Sequence, residues 1–159
     1  MTQIVTRHTR LNAPPDAVLA AVTSPRVLCH IAAPLIRFAP VDPPDWPARF
    51  APGPHVVAMY GIGWVPLGRQ VIDISYPEAT PEKDALVARD NGHSAMIRRW
   101  DHWIIIRPDG AGGSHYTDRV EIEAGWRTGA VALFARLFFA HRQSRLRALL
   151  HNGPRAARP

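Results

Sequence analysis

The sequence has one cysteine, one lysine and no long charge-free run of apolar residues. Each scarcity excludes something. With Cys29 alone no internal disulfide can form, and such sparse cysteine use suits a reducing compartment, so a cytoplasmic location is expected. Without a run of about 20 apolar residues no membrane-spanning helix is expected. The first residues, Met1-Thr2-Gln3-Ile4-Val5-Thr6-Arg7-His8, lack the basic-then-apolar layout of a secretion signal. No internal repeat and no linker-like stretch appears.

Lys83 being the only lysine, the net charge of +6 is carried almost wholly by arginine. The densest group, Arg136, Arg142, Arg145, Arg147, Arg155 and Arg158, lies towards the C-terminus. Such a group can follow a phosphate backbone, or it can complement the dipole at a helix C-terminus. Interleaving with acids and aliphatics favours the second reading and disfavours nucleic acid as a partner.

At 159 residues the chain fits one domain, expected over 1–151 with a disordered tail over 152–159. Residues Gln3–Leu11 read as a strand ending at Asn12-Ala13-Pro14-Pro15. Proline and Asp16 then open a short helix over 17–22, and Ser24-Pro25 starts a second over 26–31. Residues 39–54 hold Pro40, Pro43, Pro44, Pro47, Pro52 and Pro54, which excludes a central strand and leaves loop or sheet edge. Strand patterns follow over 56–62, 67–76, 85–89, 96–108 and 115–124, with Pro77-Glu78-Ala79-Thr80-Pro81 among the turns. Asp109-Gly110-Ala111-Gly112-Gly113-Ser114 makes the last pair an antiparallel hairpin. A long apolar-and-arginine helix over 128–150 closes the chain.

With this order of elements the chain resembles the helix-grip (SRPBCC) superfamily of START lipid-transfer domains, pollen-allergen-type proteins and polyketide cyclases. The residues behind the resemblance are Leu11-Asn12-Ala13-Pro14-Pro15-Asp16-Ala17-Val18 at the first strand-to-helix junction, Trp100-Asp101-His102, and Tyr116-Thr117-Asp118-Arg119-Val120-Glu121-Ile122, followed by the terminal helix. The resemblance covers nearly the whole chain. It implies an α+β fold: a curved antiparallel β-sheet gripping a long C-terminal α-helix over an apolar cavity, with two short helices after the first strand.

Alternation along the last hairpin assigns its faces. Centring the loop on Ala111-Gly112 puts Ile104 opposite Asp118, His102 opposite Val120 and Trp100 opposite Ile122. Trp100, His102, Ile104 and Ile106 then share the helix-facing side with Tyr116, Asp118, Val120 and Ile122. On the terminal helix, Val131, Phe134, Ala135, Phe138, Phe139, Leu146 and Leu149 form one apolar face, while Arg136, Gln143 and Arg147 point to water. Arg142 falls in the middle of the apolar face. A guanidinium there must find an acid or extend its head to solvent; Asp118 is the only acid on the inward hairpin face, with His102 near enough diagonally to join them.

Three functions fit these residues. The first is an intracellular protein that binds a small hydrophobic, lipid- or polyketide-like ligand. Arg142, Asp118, His102 and Tyr116 would fix its polar end, Trp100, Ile104, Val120, Phe134 and Phe138 would bury the rest, and Trp64 would stand at the entrance. The second is a cyclase or dehydratase using the same cavity with His102 or Asp118 as proton carrier. The third is a cavity-poor protein-interaction module. The eight histidines are scattered without ligand spacing, and Gly61-Ile62-Gly63-Trp64-Val65-Pro66 lacks the third glycine and helix of a dinucleotide site. No metal or cofactor is therefore expected. The sequence leaves the oligomeric state open.

Overall fold

The computed structural model describes residues 1–78 and 84–151. The proposed tail at 152–159, and part of the turn after residue 76, lie outside them. The seven strands are β1 (Gln3–Leu11), β2 (Ile36–Asp42), β3 (Gly53–Gly61), β4 (Val65–Ser75), β5 (Leu86–Ser94), β6 (Arg99–Pro108) and β7 (Ser114–Glu123). They form one curved antiparallel sheet in the order β1-β7-β6-β5-β4-β3-β2. Helices α1 (Pro15–Val22) and α2 (Pro25–Ala32) follow β1, and α3 (Thr128–His151) follows β7 through a 3₁₀ turn at Gly125–Arg127.

Local chemistry sets these boundaries. Proline opens both α1 and α2 at a position whose amide has no helical partner. Thr23 ends α1, its hydroxyl donating to Leu19 O at 2.7 Å. Pro34 stops α2 by holding Ala33 in extended conformation (φ −67°, ψ 146°). Pro40 sits in β2, an edge strand, where the lost donor does least harm. Beyond β7, Thr128 accepts from the Ala124 amide at 3.0 Å and donates to Gly125 O at 2.7 Å, turning the chain into α3.

The β6–β7 register is Trp100↔Ile122, His102↔Val120 and Ile104↔Asp118, as alternation predicts. Gly110 (φ 77°) and Gly112 (φ 87°) take the left-handed conformations that the loop requires. Asp109 staples it, accepting from the Ala111 and Gly113 amides at 2.8 Å each and from Arg10 Nε at 2.7 Å.

The core has two halves under α3. Val5, Trp100, Val120, Ile122, Ala135 and Phe139 fill one. Leu11, Val18, Ile31, Ile106, Tyr116 and Leu146 fill the other, with α1 and α2 packed against it. Each large apolar side chain buried here contributes roughly 1.5–3 kcal/mol. His141 Nε2 and Arg145 Nε donate to Ala33 O (2.8 Å) and His30 O (3.0 Å), satisfying carbonyls at the end of α2 and tying it to α3.

One expectation for α3 is overturned. Gln143 does not point to water but is 3% exposed. The curled sheet brings β1 and β7 over a second flank of the helix, so the buried surface is wider than the apolar stripe.

Candidate functional site

Between the concave face of the sheet and α3 lies a cavity of about 700 Å³. Its walls are chiefly apolar: Ile72 and Ile74 from β4, Ala88 from β5, Trp100 and Ile104 from β6, Phe138 from α3. Ile62, Met96, Trp126 and Phe134 line it while remaining exposed to solvent, and so mark the mouth. Arg142 lies two helical turns beyond Phe134, about 12 Å along the axis. It borders the cavity with Asp90, His102, Gln70 and Ser94. The space therefore has a greasy entrance and a polar interior.

The polar groups at this inner end form two layers, of which only the front one and His102 border the cavity. The rear layer centres on Asp118, 1% exposed. His102 Nε2 donates to its Oδ1 at 2.7 Å, the Tyr116 hydroxyl to the same oxygen at 2.9 Å, and Gln143 Nε2 to Oδ2 at 2.9 Å. Gln143 also donates to Arg7 O at 3.1 Å, so α3, β7, β6 and β1 meet at this carboxylate. Burial pushes the Asp118 carboxyl up, but the His102 hydrogen bond and the nearby Arg142 charge outweigh it and hold it below the ordinary range. Burial also lowers His102, despite Asp118, leaving a neutral ring that donates Nε2–H. Tyr116 is pushed well up by burial and by the Asp118 charge. This layer is one anion surrounded by neutral donors.

The front layer is Arg142 and Asp90. Arg142 is 6% exposed, lies against the Tyr116 hydroxyl and holds its guanidinium 5.7 Å from the Phe139 ring centre. Among the described residues it makes no ion pair. The expected Arg142–Asp118 pair is thus corrected: Asp118 feels the guanidinium charge, but its hydrogen bonds go to His102, Tyr116 and Gln143. Asp90 stands opposite His102 in the β5–β6 register and so shares its inward face. Its Oδ1 accepts from the Asp73 amide at 2.9 Å. Room for that turn comes from Gly92, where a Cβ would meet Val71 O at 2.5 Å and Asp90 Oδ1 at 2.9 Å. Burial raises the Asp90 carboxyl to about 7, against the lowering pull of the Asp73 amide and of Arg142.

Of the residues singled out from the sequence, Trp100, His102, Ile104, Phe134, Phe138 and Arg142 line the cavity. Tyr116, Asp118 and Val120 do not. They share the inward face, but β1 and the C-terminal half of α3 seal β7 off from the space. Trp64 is 75% exposed and does not line the cavity, because the β3–β4 turn, with positive φ at Ile62 and Gly63, carries it past the sheet. Asp90 is the residue that sequence reasoning missed. Asp90-Asn91-Gly92 has turn composition, so the strand was expected to stop at Arg89, whereas β5 runs on to Ser94.

On the convex face, Arg89 forks onto Asp101 at 2.8 and 2.9 Å and stacks 4.6 Å from the Trp103 ring. The pair ties β5 to β6 through a carboxylate, Asp101, that is itself buried. Cys29 is half-buried, and its burial pushes the thiol up, away from reactivity. No helix among the described residues is long and apolar enough to cross a membrane.

Comparison with known proteins places this architecture. Residues 9–150 match a family model described as a domain of unknown function, DUF8410. No curated protein matches. Solved structures do, at low identity. A protein from Arthrobacter aurescens has 14% identity and a TM-score of 0.70 over 96% of this chain and 88% of that one. A START superfamily protein from Mycobacterium smegmatis has 13% identity and a TM-score of 0.61 over 94% and 97%. Ara h 8.0201 has 12% identity and a TM-score of 0.55 over 94% and 100%. At such identities the likeness is one of fold, the START-like helix grip. By the match over residues 9–150, the chain belongs to the DUF8410 family.

Proposed function

We propose that this protein binds a small hydrophobic molecule, lipid- or polyketide-like, between its sheet and terminal helix, and that it works in the cytoplasm. The observation that carries the reading is the cavity of about 700 Å³ whose apolar mouth leads to a polar interior. That volume is in the range of sites that enclose a drug-sized ligand, and it argues against a cavity-poor interaction module. His102, Arg142 and Asp90 would orient the polar end, and Trp100, Ile104, Phe134 and Phe138 would cover the rest. Asp118 and Tyr116 would act from behind by fixing His102. Native mass spectrometry of the purified protein, followed by extraction, tests this. A stoichiometric apolar molecule is expected. A ligand-free mass, with no uptake from added amphiphiles, would overturn it.

A second reading, a cyclase or dehydratase, draws on one observation: His102 borders the cavity while its Nε2–H is held by Asp118. That is how a ring is oriented for proton transfer through its other nitrogen. Incubating the bound molecule with the protein and analysing it again by mass and by chiral chromatography separates the two readings, since only an enzyme changes its mass, its connectivity or its stereochemistry.

A further inference from the structure

The front layer contains an imbalance. Arg142 is a buried guanidinium that borders the cavity without an ion-pair partner among the described residues, while the rear carboxylate, Asp118, is already occupied by three donors. A buried cation of this kind is costly unless an anion reaches it. Asp90, partly buried, offers a second contact point on the same wall. Its Oδ1 is engaged by the Asp73 amide, and its other oxygen makes no hydrogen bond to the described residues. We infer that the cavity is built for an apolar carboxylic acid, whose carboxylate forks onto Arg142 with Asp90 as its second contact point. This rests on the reading that the cavity holds an apolar ligand, and it names the polar end of that ligand.

Other head groups fit less well. An alcohol leaves the guanidinium without its anion, and an ester or ketone satisfies one donor at a time without neutralising charge. A carboxylate matches the planar fork of arginine and accepts from both donors together. Asp90 must then keep its proton while the ligand is bound. The groups facing it are Asp73 and Gln70 from β4, His102 from β6 and Arg142 from α3, with Asp101 acting from the far side of β6. Of these, Arg142 alone favours the ionised form by its charge. A bound carboxylate would cancel that influence and hold the proton more firmly.

Quenching of tryptophan fluorescence, titrated with decanoic acid, decan-1-ol and methyl decanoate at pH 6 and pH 8, tests this. The acid, ionised at both values, is expected to bind tightest at pH 6. With the Asp90 carboxyl at about 7 in the free protein, its affinity is expected to fall about tenfold by pH 8. Asp90→Asn, which always offers N–H donors, should bind the acid with nearly equal affinity at both pH values. Arg142→Gln, which keeps a polar donor and most of the volume, should lose the acid at least tenfold and the ester little, with far-UV circular dichroism showing the fold retained. Alcohol or ester binding as well as the acid would overturn the inference while leaving the binding function standing. So would acid affinity that rises with pH. Failure of all three probes would overturn both.

Discussion

His102 Nε2 lies 2.7 Å from Asp118 Oδ1, across a diagonal of the β6–β7 ladder in which His102 faces Val120 and Asp118 faces Ile104. The diagonal lets one carboxylate collect the ring, the Tyr116 hydroxyl from its own strand and Gln143 from α3.

Asp118→Ala is therefore expected to destabilise the fold by about 3–5 kcal/mol, because it strands three buried donors. In double-mutant cycles by urea unfolding, His102 and Asp118 should couple by about 1–3 kcal/mol. Arg142 and Asp118, which interact without contact, should couple by less than about 1 kcal/mol. Stronger coupling through Arg142 than through His102 would refute the contact pattern.

Asp90 gives a pH dependence whose sign is fixed. Its folded pKa, about 7, lies above the ordinary 3.8. The native state therefore holds a proton that the unfolded chain has released, and the contribution of this group to stability is full below about pH 4 and lost as pH rises towards 7. Asp90→Asn removes that loss. Its stability relative to the unaltered protein should improve by roughly 2–3 kcal/mol between pH 5 and pH 8. A difference independent of pH, measured from urea midpoints, would show that Asp90 is ionised throughout.

Asp109 has the opposite sign. The Ala111 amide, the Arg10 side chain and the Gly113 amide together outweigh the upward push of burial and hold its carboxyl at about 2, below the ordinary 3.8. Its contribution is present above about pH 4 and lost as pH falls towards 2. Asp109→Ala should lower the melting temperature at pH 7 and much less at pH 2, as thermal scans at both values would reveal. An equal loss at both would mean that the carboxylate charge does not hold the hairpin loop.

Ala88, 3% exposed, sits in the cavity wall on β5. Ala88→Leu places extra methyl and methylene groups in the empty space. The melting temperature should hold or rise, while affinity for decanoic acid should fall about tenfold or more, as fluorescence titration would register. Unchanged affinity would place the ligand elsewhere.

Most of the fold was legible because its signals are local. Period-two alternation gave β6 and β7 and, with the loop length, their register and inward face. Prolines marked the starts of α1 and α2 and kept residues 39–52 to an edge or loop, where β2 ends at an edge, although Gly53 and Pro54 already begin the interior strand β3. The periodicity of α3 placed Arg142 inward, where it is 6% exposed. The site was only partly legible. Asp90 was hidden by turn-like neighbours, Trp64 was misplaced by a turn whose φ angles the sequence does not advertise, and Gln143 looked like a solvent residue on its helix.

What the sequence by itself determined was most of the elements, their order and the inward faces of β6, β7 and much of α3, because backbone sterics, proline and alternation act over a few residues. Tertiary structure alone decided which inward groups meet. The curl of the sheet sealed Asp118 and Tyr116 behind β1 and α3, gave Asp118 to His102 and Gln143 instead of Arg142, and left Arg142 and Asp90 facing an empty space. Those pairings depend on distances between strands and a helix far apart in the chain, set by the packing of the whole core.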